Sequence, residues 1–187
     1  RPYRFDLVDV QRQMMTNLGQ LIHRKAAEAF RSKDREAFTL HSGRFLGMLA
    51  DMDTLLRTRS EYSFDRWLTE ARSWGETEEE KNQMERDATF LVTIWGADGD
   101  PHIFDYSWRE WAGLINGYYL PRWQKFYTML QQHLDEGTSY EEVGLPQIYG
   151  REAFRANDFY HALAEWELSY VCLLYTSPSP RDVEESR

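Results

Sequence analysis

A single cysteine, Cys172, among 187 residues removes two classes of architecture at once. No internal disulfide can form, and no zinc site built on several thiolates is available. The chain is also short of basic residues: 22 Lys and Arg stand against 31 Asp and Glu, for a net charge of -9. A nucleic-acid binder needs clustered cations to displace counterions from phosphates, and no basic stripe occurs here. Runs of about 20 apolar residues, the length that crosses a bilayer, are missing. No glycine-rich phosphate loop and no G-x-S-x-G elbow around Ser42 are found. His23, His41, His102, His133 and His161 include no i, i+4 pair and have no cysteine partner, so neither a metal nor a cofactor is expected.

What the chain has in quantity is apolar and aromatic surface, 42% and 15% of its residues, enough for one helical domain with a sizeable core. No segment alternates long enough to be a strand, whereas apolar residues recur at three and four. Leu7, Val10, Met14, Leu18, Leu21, Ile22, Ala26, Ala29 and Phe30 form one predicted face of a first helix that ends near Arg31. A second helix, capped by Ser32 or Asp34, carries Phe38, Phe45, Leu49, Met52, Leu55 and Leu56, with Gly43 and Gly47 suggesting a close helix crossing. A short helix with Phe64, Trp67, Leu68, Ala71 and Trp74 follows. Thr77 to Glu80 then reads as a capping box, opening a helix with Met84, Ala88, Leu91 and Trp95 on its buried face. The reading is all-α, a bundle-like single domain of about seven helices.

The stretch Phe90 to Phe126 organises the rest, because a polar loop sits there between two strongly apolar segments and carries Trp95, Trp108, Trp111 and Trp123. A helix is expected to end at Trp95-Gly96, with glycine taking the left-handed turn. Asp105 is expected to cap the next helix, and Pro121 to restart a further one at its first position. Aromatics flanking a loop suit a monosaccharide pocket, since a ring face packs on a sugar's apolar face. At helical spacing, however, aromatics more often belong to a core. Asp98, Asp100, Asp105 and Glu110 are the carboxylates in reach; loop and first-turn acids of this kind usually cap helices or face water.

Thr93-Ile94-Trp95-Gly96, Asp105-Tyr106, Trp111-Ala112-Gly113-Leu114 and Tyr118-Tyr119-Leu120-Pro121-Arg122-Trp123 resemble the (L/I)-W-G…D-Y…(W/L)-A-G-L…(Y/F)-Y-x-P-R-W run of glycoside hydrolase family 89, the alpha-N-acetylglucosaminidases. Tyr3-Arg4-Phe5-Asp6-Leu7-Val8-Asp9 with Arg12-Gln13 is similar to the same family's Y-R-(Y/F)-D-L-(L/V)-D-x-x-R-Q. Both matches fall in the family's C-terminal all-helical domain, in order. After Tyr106 the sequence departs from the usual pattern: Arg109 matches, but Trp108 does not.

The resemblance implies a retaining exo-hydrolase of terminal alpha-linked N-acetylglucosamine. Its two catalytic glutamates would sit in a TIM barrel preceding Arg1, so no catalytic residue is assigned within this chain. The domain would pack on that barrel and line one side of the pocket with Trp95, Ile103 and Tyr106, while Asp105 caps a helix or orients a hydroxyl. The implied partners are a glycan ending in N-acetylglucosamine and the barrel itself, with no nucleic acid and no membrane span. The implied location is secreted, periplasmic or lysosomal. Residues 1–171 would be the domain. Residues 172–187 would be a disordered or non-native tail, since Thr176 to Asp182 breaks the helical pattern and Leu173 to Asp182 resembles translated adaptor sequence. The alternative is a non-catalytic carbohydrate-binding or structural helical module. A barrel-packing domain, by contrast, would leave one broad apolar face uncovered when isolated.

Overall fold

The computed structural model describes residues 2–95, 105–138, 140 and 158–176. Among these are six α-helices and no extended strand: α1 Pro2–Arg31, α2 Arg35–Leu56, α3 Phe64–Arg72, α4 Glu78–Val92, α5 Leu120–Glu136 and α6 Asp158–Thr176. A 3-10 turn lies at Ser60–Tyr62 and a π-helical turn at Ile115–Tyr119. The all-α reading holds, with a helix number close to the one expected. The last helix runs to Thr176. Two compact units divide the chain, residues 1–66 with 109–148 and residues 67–108 with 149–187.

In the first unit α1 and α2 form a hairpin. The chain reverses at Lys33, which takes a left-handed φ of 59°, while the Asp34 N–H reaches back to the Ala29 carbonyl at 2.9 Å. Asp34 is the N-cap of α2, accepting from the Ala37 N–H at 3.0 Å, as one of the two expected caps. Phe38, Phe45 and Met48 of α2 bury against Ala26 and Ala29 of α1 and Tyr127, Leu130 and Leu134 of α5. Phe38 is only 1% exposed, and burying a side chain of that size stabilises by about 2–3 kcal/mol. A second cluster joins Val8, Met52, Leu56, Ala112 and Ile115.

Two expectations about these helices are corrected. The stripe Leu7, Val10, Met14, Leu18 and Leu21, together with Tyr3, faces outward at between 45% and 75% exposure. Ala26 and Ala29 of the predicted face are buried, joined by Val8 and Gly19, where small residues let α2 approach. The close crossing is likewise not at Gly43 or Gly47, since a Cβ at either would meet nothing within 4 Å. It lies at Gly19, where a Cβ would come within 2.7 Å of the Met48 terminal methyl.

The first unit also holds a pH-sensitive group. The ring of His23 packs against Phe45 and Trp123 and hydrogen-bonds the Tyr127 hydroxyl at 2.8 Å. Burial, with a smaller contribution from Arg31, lowers its pKa below the ordinary 6.5. The folded state therefore resists protonation that the unfolded chain accepts, so this contribution is complete above pH 6.5 and declines as pH falls below it. Thermal melts at pH 7.5 and 5.5 should show a loss of melting temperature that His23→Gln reduces; an equal loss in both proteins would refute the assignment.

The π-helical turn has a local cause. Pro121 has no N–H to donate, and its ring would press on the carbonyl of the preceding turn in a regular helix. Widening that turn, with the Leu120 N–H bonded to the Ile115 carbonyl, brings the chain into α5 with proline in its first turn. Gly137 ends α5 in the left-handed conformation, φ 69°, as glycine does at little cost.

In the second unit, the Thr77–Glu80 capping box is present with both reciprocal bonds. Arg72 at the end of α3 reaches Asn82, Glu85 and Glu78 of α4, and the Trp67 indole N–H donates to the Ala88 carbonyl at 3.0 Å. The buried side of α4 is Ala88, Thr89 and Val92, rotated from the predicted one: Met84 and Leu91 are exposed. Trp74, expected in the α3 face, lies beyond that helix and is 83% exposed. Apolar spacing alone cannot separate the two sides of a helix flanked by large residues on both.

Candidate functional site

Helix α4 closes on itself before Trp95. Thr89 and Thr93 are fully buried, and their hydroxyls return to the Glu85 and Thr89 carbonyls. The N–H groups of Thr93 and Trp95 both reach the Phe90 carbonyl, at 3.3 and 2.8 Å. Trp95 itself takes a left-handed φ of 56°, the conformation that the sequence had suggested for Gly96. For a bulky side chain this is a true outlier, storing strain of about 1–3 kcal/mol. Ile94 points into the core at 3% exposure, and Trp95 beside it is half-buried.

The described chain resumes at Asp105, again with a left-handed φ, 54°. Residues 105–107 form a turn closed by the Trp108 N–H on the Asp105 carbonyl at 3.0 Å. Tyr106 projects from that turn, 66% exposed, and its ring lies 4.9 Å from that of Trp95 at 56°. Two of the candidate residues are thus brought together. Ile103, Asp98 and Asp100 lie outside the described residues.

Asp105 does not cap a helix. Residues 108–111 are non-helical and Trp108 is 52% exposed. The Ala112 N–H donates to the Tyr62 carbonyl at 2.8 Å, and the Phe64 N–H donates to the Ala112 carbonyl at 3.1 Å, an isolated parallel bridge that diverts the backbone from the expected helix. Helical structure begins at Leu114, and its N-terminal N–H groups are met by Asp53 of α2. The Asp53 Oδ1 accepts from Gly113 at 2.7 Å and Asn116 at 3.2 Å, while Oδ2 accepts from the Arg57 guanidinium at 2.7 Å.

Glu110, the remaining carboxylate candidate, is an ion-pair partner in the first unit. It accepts from the Arg12 guanidinium and from the Thr16 hydroxyl at 2.5 Å. Arg12 also binds Asp9 at 2.8 Å, and Asp9 accepts from the Tyr62 hydroxyl at 2.8 Å. Burial opposes the charge on Arg12, but the bonds to Glu110 and Asp9 outweigh it and raise its pKa. The Tyr62 hydroxyl, then Arg12, hold the Asp9 carboxyl below its usual range. Sequence reasoning had not assigned roles to Asp9, Arg12 or Asp53. For the first two the signal was the motif around Asp9 and Arg12; for Asp53 there was none. Among the described residues no three His, Cys, Asp or Glu side chains converge to hold a metal ion, and no helix is long and apolar enough to cross a membrane.

A family model described as the alpha-N-acetylglucosaminidase (NAGLU) C-terminal domain matches residues 1–179. The chain is 32% identical over 142 residues to human alpha-N-acetylglucosaminidase, covering 75% of this chain and 19% of that protein. A family 89 glycoside hydrolase from Clostridium perfringens in complex with PUGNAc matches 88% of this chain and 18% of its own, with a TM-score of 0.71 and 29% identity. A double glutamate-to-glutamine variant from the same organism, in complex with its substrate GlcNAc-alpha-1,4-galactose, matches 89% of this chain and 21% of its own, with a TM-score of 0.69 and 26% identity. The chain therefore spans about a fifth of the length of these relatives. A match across nearly all of the sequence, together with a shared helical fold, makes this chain a member of the alpha-N-acetylglucosaminidase C-terminal domain family.

Proposed function

We propose that this domain works within a larger retaining exo-glycosidase that releases terminal alpha-linked N-acetylglucosamine, and that it lines one side of the pocket. The observation that carries the reading is the pair Trp95 and Tyr106. Their rings are in contact, one residue is held in a strained backbone conformation, and the other is largely exposed. A core pair would be covered and relaxed; a sugar-binding pair must be presented. Trp95 offers a face for the apolar side of a pyranose and Tyr106 a hydroxyl for its polar rim. Ile103 belongs to the same stretch of sequence and completes the candidate set. The acid/base and nucleophile of a retaining hydrolase must stand about 5 Å apart, and we place both in the rest of the polypeptide, a catalytic barrel.

The outward stripe Tyr3, Leu7, Val10, Met14, Leu18 and Leu21 on α1 supports a further covering part, because exposed apolar stripes of this length mark contact surfaces. Secretion, or a periplasmic or lysosomal location, fits an enzyme acting on such glycans. In the full-length protein, Trp95→Ala should lower kcat/KM on an aryl alpha-N-acetylglucosaminide about 10–100-fold, with melting temperature nearly unchanged. Unchanged kinetics would refute the pocket role. Tight saturable binding of N-acetylglucosamine by this domain alone would instead make it an independent binding module.

A further inference from the structure

We infer that Asp105 is a positioning residue, which holds Tyr106 against Trp95 through its own left-handed backbone. The inference rests on the reading that the aromatic pair lines a glycan pocket. Asp105 immediately precedes Tyr106, so its dihedrals set the direction in which the tyrosine leaves the chain. That direction is fixed at φ 54°, and the turn is closed by the Trp108 N–H on the Asp105 carbonyl at 3.0 Å. Tyr106 is 66% exposed, so packing contributes little to its placement, and the 4.9 Å ring contact with Trp95 depends on the backbone that presents it. Residue types differ sharply in tolerating this conformation. Glycine has no Cβ to clash, and Asn and Asp visit it routinely, whereas alanine does so at a cost and β-branched residues hardly at all.

That ranking separates a conformational role from a chemical one. A carboxylate that binds a hydroxyl is lost in Asn, Gly, Ala and Val alike. A conformational residue is kept by Asn and Gly and lost in Ala and Val, although glycine removes more side-chain contact than alanine does. The test is steady-state kinetics of the full-length enzyme on an aryl alpha-N-acetylglucosaminide for Asp105→Asn, Asp105→Gly, Asp105→Ala and Asp105→Val, with Tyr106→Ala in parallel. Asp105→Asn is expected within about twofold of the parent kcat/KM and Asp105→Gly within about threefold, while Asp105→Ala falls about five- to tenfold and Asp105→Val further. The near-UV circular dichroism of Asp105→Ala should shift toward that of Tyr106→Ala, and that of Asp105→Asn should not. If Asp105→Val does not fold, the contrast between glycine and alanine carries the test. Equal losses in Asp105→Asn and Asp105→Ala would overturn the inference in favour of a carboxylate role. Full activity in Asp105→Ala beside an impaired Tyr106→Ala would overturn it and leave the pocket reading standing. An unimpaired Tyr106→Ala would overturn both.

Discussion

Asp53→Ala should destabilise the folded chain by about 3 kcal/mol, because two backbone N–H groups at a helix start depend on one buried carboxylate. Asp53 is 3% exposed, and its Oδ1 is the acceptor for the N–H groups of Gly113 and Asn116. Removing it leaves those part-buried donors without their acceptor at a helix N-terminus, and an orphan of this kind costs about 1–2 kcal/mol, toward the lower end of the range for buried groups. Its second oxygen pairs with Arg57, but that guanidinium is 54% exposed, so solvent screens the pair and it contributes little. The loss should therefore follow the backbone bonds. Asp53→Asn keeps one acceptor oxygen and should lose about half as much, whereas Arg57→Met should cost under about 1 kcal/mol. For a chain of 187 residues, about 3 kcal/mol corresponds to a fall in melting temperature of roughly 6–12 °C. A fall of only a degree or two in Asp53→Ala, or an equal one in Arg57→Met, would show that the helix start does not depend on this cap.

Asp53 also shows why part of the fold could be read in the sequence and part could not. The Thr77–Glu80 capping box was legible because its two partners stand three residues apart and define each other. Asp53 meets Gly113 and Asn116 across some sixty positions, and nothing in the run Met52-Asp53-Thr54 announces that its carboxylate turns inward. In α1 the periodicity was visible and Ala26 and Ala29 fell on the buried side as expected, but the choice of side from Leu7 to Leu21 was not legible. Both stripes repeat at helical spacing, and the decision fell to Gly19, Ala26 and Ala29, whose small size admits α2. Packing area gained along a close crossing outweighs the burial of larger residues that have no partner surface.

The segment from Asp105 to Gly113 failed in a different way. Trp108, Trp111 and Ala112 have helical spacing, yet Ala112 bonds through both backbone groups to Tyr62 and Phe64. A long-range bridge that satisfies the backbone removes the incentive for the local helix. In the candidate site, Trp95 and Tyr106 stood out through the motif that contains them, and their ring contact is what the structure adds. The strained φ of Trp95 was not, because sequence rules assign such a conformation to the neighbouring glycine. Arg12 and Glu110 were each in view, one in a motif and one as a loop acid, but their pairing joins positions 98 residues apart.

Gly75→Ala is the second large effect, a loss of about 3 kcal/mol, and it comes from space and not from dihedral freedom. A Cβ built on Gly75 would lie 2.5 Å from the Lys81 nitrogen and 2.8 Å from the Glu80 carbonyl carbon. Both are backbone atoms in the first turn of α4, so no side-chain rotation can relieve the overlap. The turn must retreat instead, and overpacking of this kind costs about 1–3 kcal/mol. Retreat also acts on the joint between α3 and α4, where Arg72 holds Asn82, Glu85 and Glu78. It disturbs the Glu80 carboxylate that accepts from the Glu76 and Thr77 N–H groups, and loss of such a cap adds about 1 kcal/mol. Urea denaturation of Gly75→Ala should therefore show a lower midpoint, and a melting temperature reduced by roughly 6–12 °C. Gly43→Ala is the internal control: its Cβ would meet nothing within 4 Å, and replacing a helical glycine there should stabilise by about 0.5–1 kcal/mol. Equal and small effects at the two positions would mean that α3 and α4 do not approach as closely as Gly75 allows. Opposite signs would locate the requirement for glycine in the contact between the Gly75 backbone and the start of α4.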